Sequence, residues 1–167
     1  MARLSLLASI AVFALLLPAA AQDQDEITKL RDDLHKQIND LRAKDNVAAL
    51  KRNAKLDEMA QKHAENMAAQ DKYGDDGKNG HILDGKDPAD RLKVSGYKAM
   101  EFGENVAYAR AKTGPMAVEG TVAGWDNSPP HHKNFMNGRF VDTGIGLAQG
   151  KSGTWYFCQT FGKPLKK

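Results

Sequence analysis

Three residues in this 167-residue sequence have the chemistry of a metal or acid–base site: His81, Glu104 and His131. His81 and the pair His131-His132 stand in stretches rich in Gly and Pro, read as loops, where a rigid frame commonly holds binding groups. Glu104 follows Gly103 at the start of a short apolar run, a place from which a carboxylate can face a cleft. Two imidazoles and a carboxylate with open coordination positions can hold a divalent ion, zinc in preference to magnesium or calcium. Spacing alone does not require this, because no HExxH or comparable local motif is present.

The other reactive side chains have plainer readings. Asp71, Asp75 and Asp76 do not form an EF-hand loop, since Tyr73 and Asp76 stand where Asp or Asn and Gly are needed, and Ile82 replaces the bidentate Glu. Ser128 lies three residues before His131, but in Asn127-Ser-Pro-Pro130 it reads as a turn residue, and no orienting acid is identifiable. Cys158, the only cysteine, sits in the apolar run Trp155–Phe161 and reads as a small buried hydrophobe. His63 lies on an apolar helix face, where packing with one satisfied hydrogen bond is expected, and His35 reads as a solvated helix residue.

These residues need elements to hold them. Ile27, Leu30, Leu34, Ile38 and Leu41 recur at helical spacing, and Leu56, Met59, Ala60, His63, Ala64 and Met67 repeat the pattern on a second helix. The polar stretch Tyr73–Gly80 is a loop. Asp87-Pro88 is an N-cap followed by Pro at the first helical position, opening a short helix that Gly96 ends. Gly114-Pro115 opens another, with Val118, Val122 and Trp125 on one face. Strands are expected at Asn105–Ala109, Thr143–Ala148 and Thr154–Phe161, the last two joined by a turn over Gln149–Gly153. Helices first and a hairpin last imply an α+β fold, helices covering a small antiparallel sheet.

Composition narrows the function classes. One cysteine excludes a disulfide scaffold and a thiolate-only zinc site. With 24 Lys and Arg against 21 Asp and Glu, the net charge of +3 gives no footprint for nucleic acid. Arg3, the uncharged run Leu4–Leu17 and then Pro18-Ala-Ala-Ala21 have the layout of a cleaved signal peptide, too short for a membrane span. The expected organisation is a signal peptide at 1–21, a flexible lead at 22–27, one domain at 28–162 and a basic tail at 163–167. The expected product is a secreted protein, extracellular or periplasmic, and a monomer.

Several motifs, taken in order, resemble one family. Asn39-Asp-Leu-Arg42 and Leu56–Ala68 are similar to the opening of an SCP domain of the CAP superfamily: cysteine-rich secretory proteins, antigen 5 and pathogenesis-related proteins. Gly80-His81, Asp90-Arg-Leu-Lys93, Gly96-Tyr97 and Gly103-Glu-Asn-Val-Ala107 follow in the family's order, then Trp125–His131, Asn134, Asn137, Arg139-Phe140 and Gly144-Ile-Gly146. The resemblance is to the short bacterial members and implies an α–β–α sandwich with a shallow cleft lined by two His and two Glu. By motif, His81 matches the first His, Glu104 the first Glu and His131 the second His. Ser128 falls where the second Glu belongs, and His132 where bacterial members often carry Arg. The family shares no single reaction, and fold does not supply function. The expected role is a non-catalytic binding module for a lipid, sterol-like or cell-surface ligand, with the cleft structural or a weak metal site. The alternative is a metal-dependent hydrolase in which Glu104 is third ligand or general base.

Overall fold

The computed structural model describes residues 19–165, with side chains from Gln24 onward; the apolar stretch of the expected signal peptide lies outside them. The elements run α1 (Ala19–Lys44), β1 (Lys51–Arg52), α2 (Ala54–Gln70), α3 (Pro88–Ser95), β2 (Ala99–Arg110), α4 (Gly114–Asp126), α5 (Pro129–Phe135), β3 (Asp142–Gln149) and β4 (Thr154–Pro164). The sheet order is β1-β3-β4-β2. β4 pairs antiparallel with β3 and β2, and the two-residue β1 adds a parallel pairing to β3 that the sequence pattern does not announce.

Helices cover both faces, giving an α–β–α sandwich. On one side Leu30, Leu34 and Ile38 of α1, Val118, Val122 and Trp125 of α4 and Phe135 of α5 pack onto Ile145, Leu147, Trp155, Phe157 and Phe161. These sheet residues are odd-numbered because side chains alternate faces along a strand. On the other side Ala60, Met67 and Ala68 of α2 meet Val106, Tyr156 and Cys158. α2 lies almost on the backbone of β3. A Cβ at Gly144 would fall 2.0 Å from Leu56 C, and one at Gly146 would fall 2.3 Å from Ala60 C. The contact is reinforced where the β3 edge is otherwise unpaired. Ile145 N–H donates to Asp57 Oδ1 at 2.9 Å, and Leu147 exchanges two bonds with the Gln61 amide.

The end of α1 is fixed by a buried cation. Arg42, fully buried, donates from Nε to the Ala48 carbonyl at 2.8 Å and from Nη1 to the carbonyls of Phe135 and Asn137. His35, expected in solvent, is half-buried instead, its Nε2 2.9 Å from the Leu50 carbonyl.

Three boundaries differ from expectation. Residues 22–27, expected as a flexible lead, are helical here, part of α1. β2 is longer than Asn105–Ala109, because pairing with β4 carries it out to Ala99 and Arg110. The basic tail begins later than 163, since Lys163 and Pro164 belong to β4 and Lys163 pairs with Glu101 at 3.5 Å.

Two substitutions test this packing by urea unfolding. Gly146→Ala should cost roughly 1–3 kcal/mol, because the new methyl meets helix backbone. Trp125→Ala should cost about 3–5 kcal/mol. A wild-type midpoint in either would contradict the layer contact it probes.

Candidate functional site

The three predicted residues come from separate elements beside the outer strand β2. Glu104 is in β2 and its side chain is only 2% exposed. His81 sits in the loop after α2, whose turns are tied by side chains: Asp76 accepts from Lys78 and Asn79 N–H, and Asn79 Oδ1 from His81 N–H. His131 is not in a loop as expected. Pro129 and Pro130 start α5 rather than prevent it, since Pro suits the first turn of a helix, where its missing N–H goes unused.

Glu104 is the centre. His81 Nδ1 lies 2.9 Å from its Oε1, and Arg91 Nη2 reaches both carboxylate oxygens at 2.8 and 2.9 Å. The same guanidinium donates to the His81 and Lys86 carbonyls, so it ties the loop to the strand. Arg91 is delivered by α3, a helix legible in the sequence although its arginine has no evident role there. The Asp87 cap and its reciprocal bond with Asp90 start the helix one turn before Arg91. A signal does exist: a carboxylate in an apolar strand must bring a cation with it.

Burial alone would push the Glu104 carboxyl up. The hydrogen bond from His81 and the charges of Arg91 and His63 outweigh burial and hold it below the usual carboxylate range. His63 is buried with Nε2 2.7 Å from the Gly80 carbonyl, and burial depresses its pKa against the opposing pull of Glu104. Burial, then the charge of His81, lowers His131 as well. Cys158 Sγ lies 3.5 Å from Glu104 Oε2, and burial with that carboxylate raises its thiol far above the ordinary value, the opposite of a reactive cysteine.

His131 and Ser128 do come together, with Nδ1 2.8 Å from Oγ. Among the described residues no carboxylate bonds to this imidazole; Asp126 instead meets His132 at 3.0 Å. The arrangement is therefore a Ser–His contact without an orienting acid.

The donor set does not fit a resident metal as it stands. Arg91 and His81 occupy the Glu104 oxygens, and among the described residues no group of three or more His, Cys, Asp or Glu side chains is placed to hold an ion.

Two grooves flank the cluster. One, of about 770 Å³ between α2 and α3, is walled by Leu83 and Val94 and rimmed by Lys62, Lys86 and Lys93 together with Glu65 and Asp90. The other, of about 270 Å³, runs between β2 and α4 past His131 and Ser128.

This α–β–α sandwich, with a His and Glu cluster beside its outer strand, is the architecture of a secreted-protein family. The profile of the cysteine-rich secretory protein family, CAP, matches residues 35–161, and the chain belongs to that family. Its fold is similar to that of an outer surface protein of Borrelia burgdorferi (TM-score 0.68, 21% identity, covering 82% of this chain and 94% of that one). It is also similar to an extracellular protein with an SCP domain from Bacillus anthracis (TM-score 0.63, 22% identity, 90% of this chain and 45% of that one). A cysteine-rich secretory protein of Staphylococcus aureus matches as well (TM-score 0.59, 18% identity, 83% and 40%). The chain thus spans less than half of the Bacillus and Staphylococcus chains. None of the curated proteins compared matches it. Among the described residues no helix is long and apolar enough to cross a membrane.

Two predictions concern the cluster. Arg91→Met should cost roughly 3–5 kcal/mol by leaving Glu104 buried without its cation, and adding Glu104→Gln should recover part of that loss. Stability should also decline as pH is lowered. The folded pKa values of His63, His131 and Glu104 are all depressed, so the unfolded chain binds protons first. Stability is then complete above the ordinary histidine pKa, declines below about 6.5 and declines again through the carboxylate range. Urea unfolding at pH 7 and pH 5 should register the first decline, and His63→Gln should shrink it.

Proposed function

We propose that this chain is an exported, non-catalytic binding domain whose ligand is an anionic, lipid-like molecule held between α2 and α3. The observation that carries this reading is the groove of about 770 Å³ there, with apolar walls at Leu83 and Val94 and three lysines on its rim. An acyl chain or flat apolar body suits the walls, and a carboxylate or phosphate head suits Lys86, which makes no ion pair among the described residues, whereas Lys62 and Lys93 are paired with Glu58 and Asp90. Val94 is 87% exposed where it lines the groove. The neighbouring cluster supports binding over catalysis. A general base needs a carboxylate free to take a proton, whereas Glu104 is buried and engaged by Arg91 and His81. On this reading His81, Glu104 and Arg91 hold the loop that forms one wall of the groove. Export is supported by the signal-peptide pattern at 1–21 and by relatives described as extracellular or surface proteins.

The test is titration with a fluorescent long-chain fatty acid, followed by competition with a sterol and with anionic vesicles. Saturable fatty-acid binding should weaken at least about tenfold in Val94→Asp combined with Lys86→Glu, with the melting temperature unchanged because both side chains are exposed. No saturation by any of the three would overturn the reading. Zinc calorimetry should give no micromolar binding. Stoichiometric zinc, with hydrolysis abolished by EDTA and by His81→Ala, would replace binding by metal-dependent hydrolysis.

A further inference from the structure

On the face packed by α1, α4 and α5, the cover of the sheet closes at Phe140. Its ring stacks on Phe161 with centroids 5.5 Å apart, and a Cβ at Gly103 would fall 3.0 Å from it. Beyond that row the side chains open to solvent: Val141 is 42%, Leu165 53% and Met100 54% exposed. Strand alternation puts residues 161, 163 and 165 of β4 and its continuation on this same face. The register sets Glu101 beside Lys163, and Val141 flanks it on the other side, where its N–H donates to the Gly162 carbonyl. Further out, Leu165 N–H donates to the Lys98 carbonyl, so Leu165 and Lys98 stand opposite each other. Met100 is the extra residue of the bulge between these two rows.

This tip concentrates two kinds of side chain. Seven large apolar residues are exposed among the described ones, and three of them, Met100, Val141 and Leu165, meet here. With them stand three cations, Lys98, Arg139 and Lys163. The carboxylate of Glu101 is shared by Arg139 at 3.1 Å and Lys163 at 3.5 Å, so it neutralises only one of the two. Lys98 is exposed and makes no ion pair among the described residues. Asp142, next to Val141, points to the opposite face, where it accepts from the Tyr97 hydroxyl at 2.9 Å. The sequence continues past Leu165 with Lys166 and Lys167.

We propose that this tip docks the protein onto the surface of an anionic lipid bilayer. Aliphatic side chains that enter the acyl boundary, beside lysines and arginines at phosphate level, are the combination an interfacial site requires. The long stems of Lys98, Lys163 and Arg139 let their charged heads stay among the headgroups while the shorter apolar side chains go deeper. Apolar and basic residues are interspersed here, row by row, and a bilayer offers hydrocarbon and phosphate at every lateral position. It therefore matches the pattern without a specific register. The tip shares no residue with the groove between α2 and α3, and the proposal does not rest on a ligand there.

The test is flotation of the full chain with vesicles of phosphatidylglycerol, compared with vesicles of phosphatidylcholine. Binding is expected to the anionic vesicles only, and should be lost in about 1 M salt, where charges are screened within about 3 Å. Lys98→Glu should weaken it at least about tenfold, as should Met100→Ser combined with Val141→Ser and Leu165→Ser. Melting temperatures should stay near wild type, because all four side chains are exposed. A polarity-sensitive dye on Leu165→Cys should shift to the blue on the vesicles; Cys158 is buried and escapes the label. The same dye on Met116→Cys, near the start of α4 and beyond the other end of β2, should not shift. Val94→Asp with Lys86→Glu should leave vesicle binding unchanged, which separates the tip from the groove. Failure to bind anionic vesicles, equal binding to both kinds, or full binding by the apolar triple variant would each overturn the proposal.

Discussion

The approach of α2 to β3 is the constraint on which the other arrangements rest. Helices normally stand off a sheet by the thickness of two side-chain layers, but here Gly144 and Gly146 remove one layer, and the backbones of Leu56 and Ala60 come down onto the strand. That descent brings Asp57 and Gln61 within reach of the β3 amides, so the helix serves as a lateral partner as well as a cover. It also buries His63 next to β2, where its Nε2 fixes the Gly80 carbonyl and with it the start of the loop carrying His81. Gly80 is itself restricted, since any Cβ would enter the Tyr73 ring, 2.4 Å from Cε2. The loop is therefore held at several points by features that begin with two missing methyl groups two strands away on the same face of the sheet.

The chemistry at Glu104 follows from that confinement. A carboxylate taken out of water must either keep its proton or receive compensating charge, and Arg91 with His81 supplies the second solution. The compensation has a chemical cost, because oxygens already engaged by donors have little capacity left for a metal ion or a substrate proton. It has a structural return too: one guanidinium links β2, the His81 carbonyl and the Lys86 carbonyl, and so joins the strand to the loop preceding α3. The same residues that would suggest an active centre from their reactivity alone thereby act as a clasp.

Much of this architecture is legible in the amino-acid sequence. The helical stripes of α1, α2 and α4 announce themselves because each must bury one face, and Asp87-Pro88 marks the start of α3 through local capping chemistry alone. His81, Glu104 and His131 stand out by type and setting, and they do gather beside one strand. What the sequence hides depends on partners distant along the chain. The first half of β2 carries Glu101 and is largely half-exposed, so its strand character comes from pairing with β4 and not from its own pattern. α5 is obscured because two prolines and two histidines look like a loop until one notices that both prolines fall in the first turn. Nothing local to Arg91 marks its role, which lies in a contact across the loop to Glu104 that only the need of that carboxylate for a cation foreshadows.

Arg42 adds a temporal dimension. Its charge is withdrawn from solvent onto three carbonyl oxygens, two of which belong to Phe135 and Asn137, more than ninety positions later in the chain. Before that later segment is in place, the guanidinium has only the Ala48 carbonyl, six residues on, among these three acceptors. The first helix can therefore settle fully only when the segment after α5 arrives, and contacts of such long span form slowly because a large loop must close first. The packing of the first helix is thus completed by carbonyls contributed from near the far end of the chain.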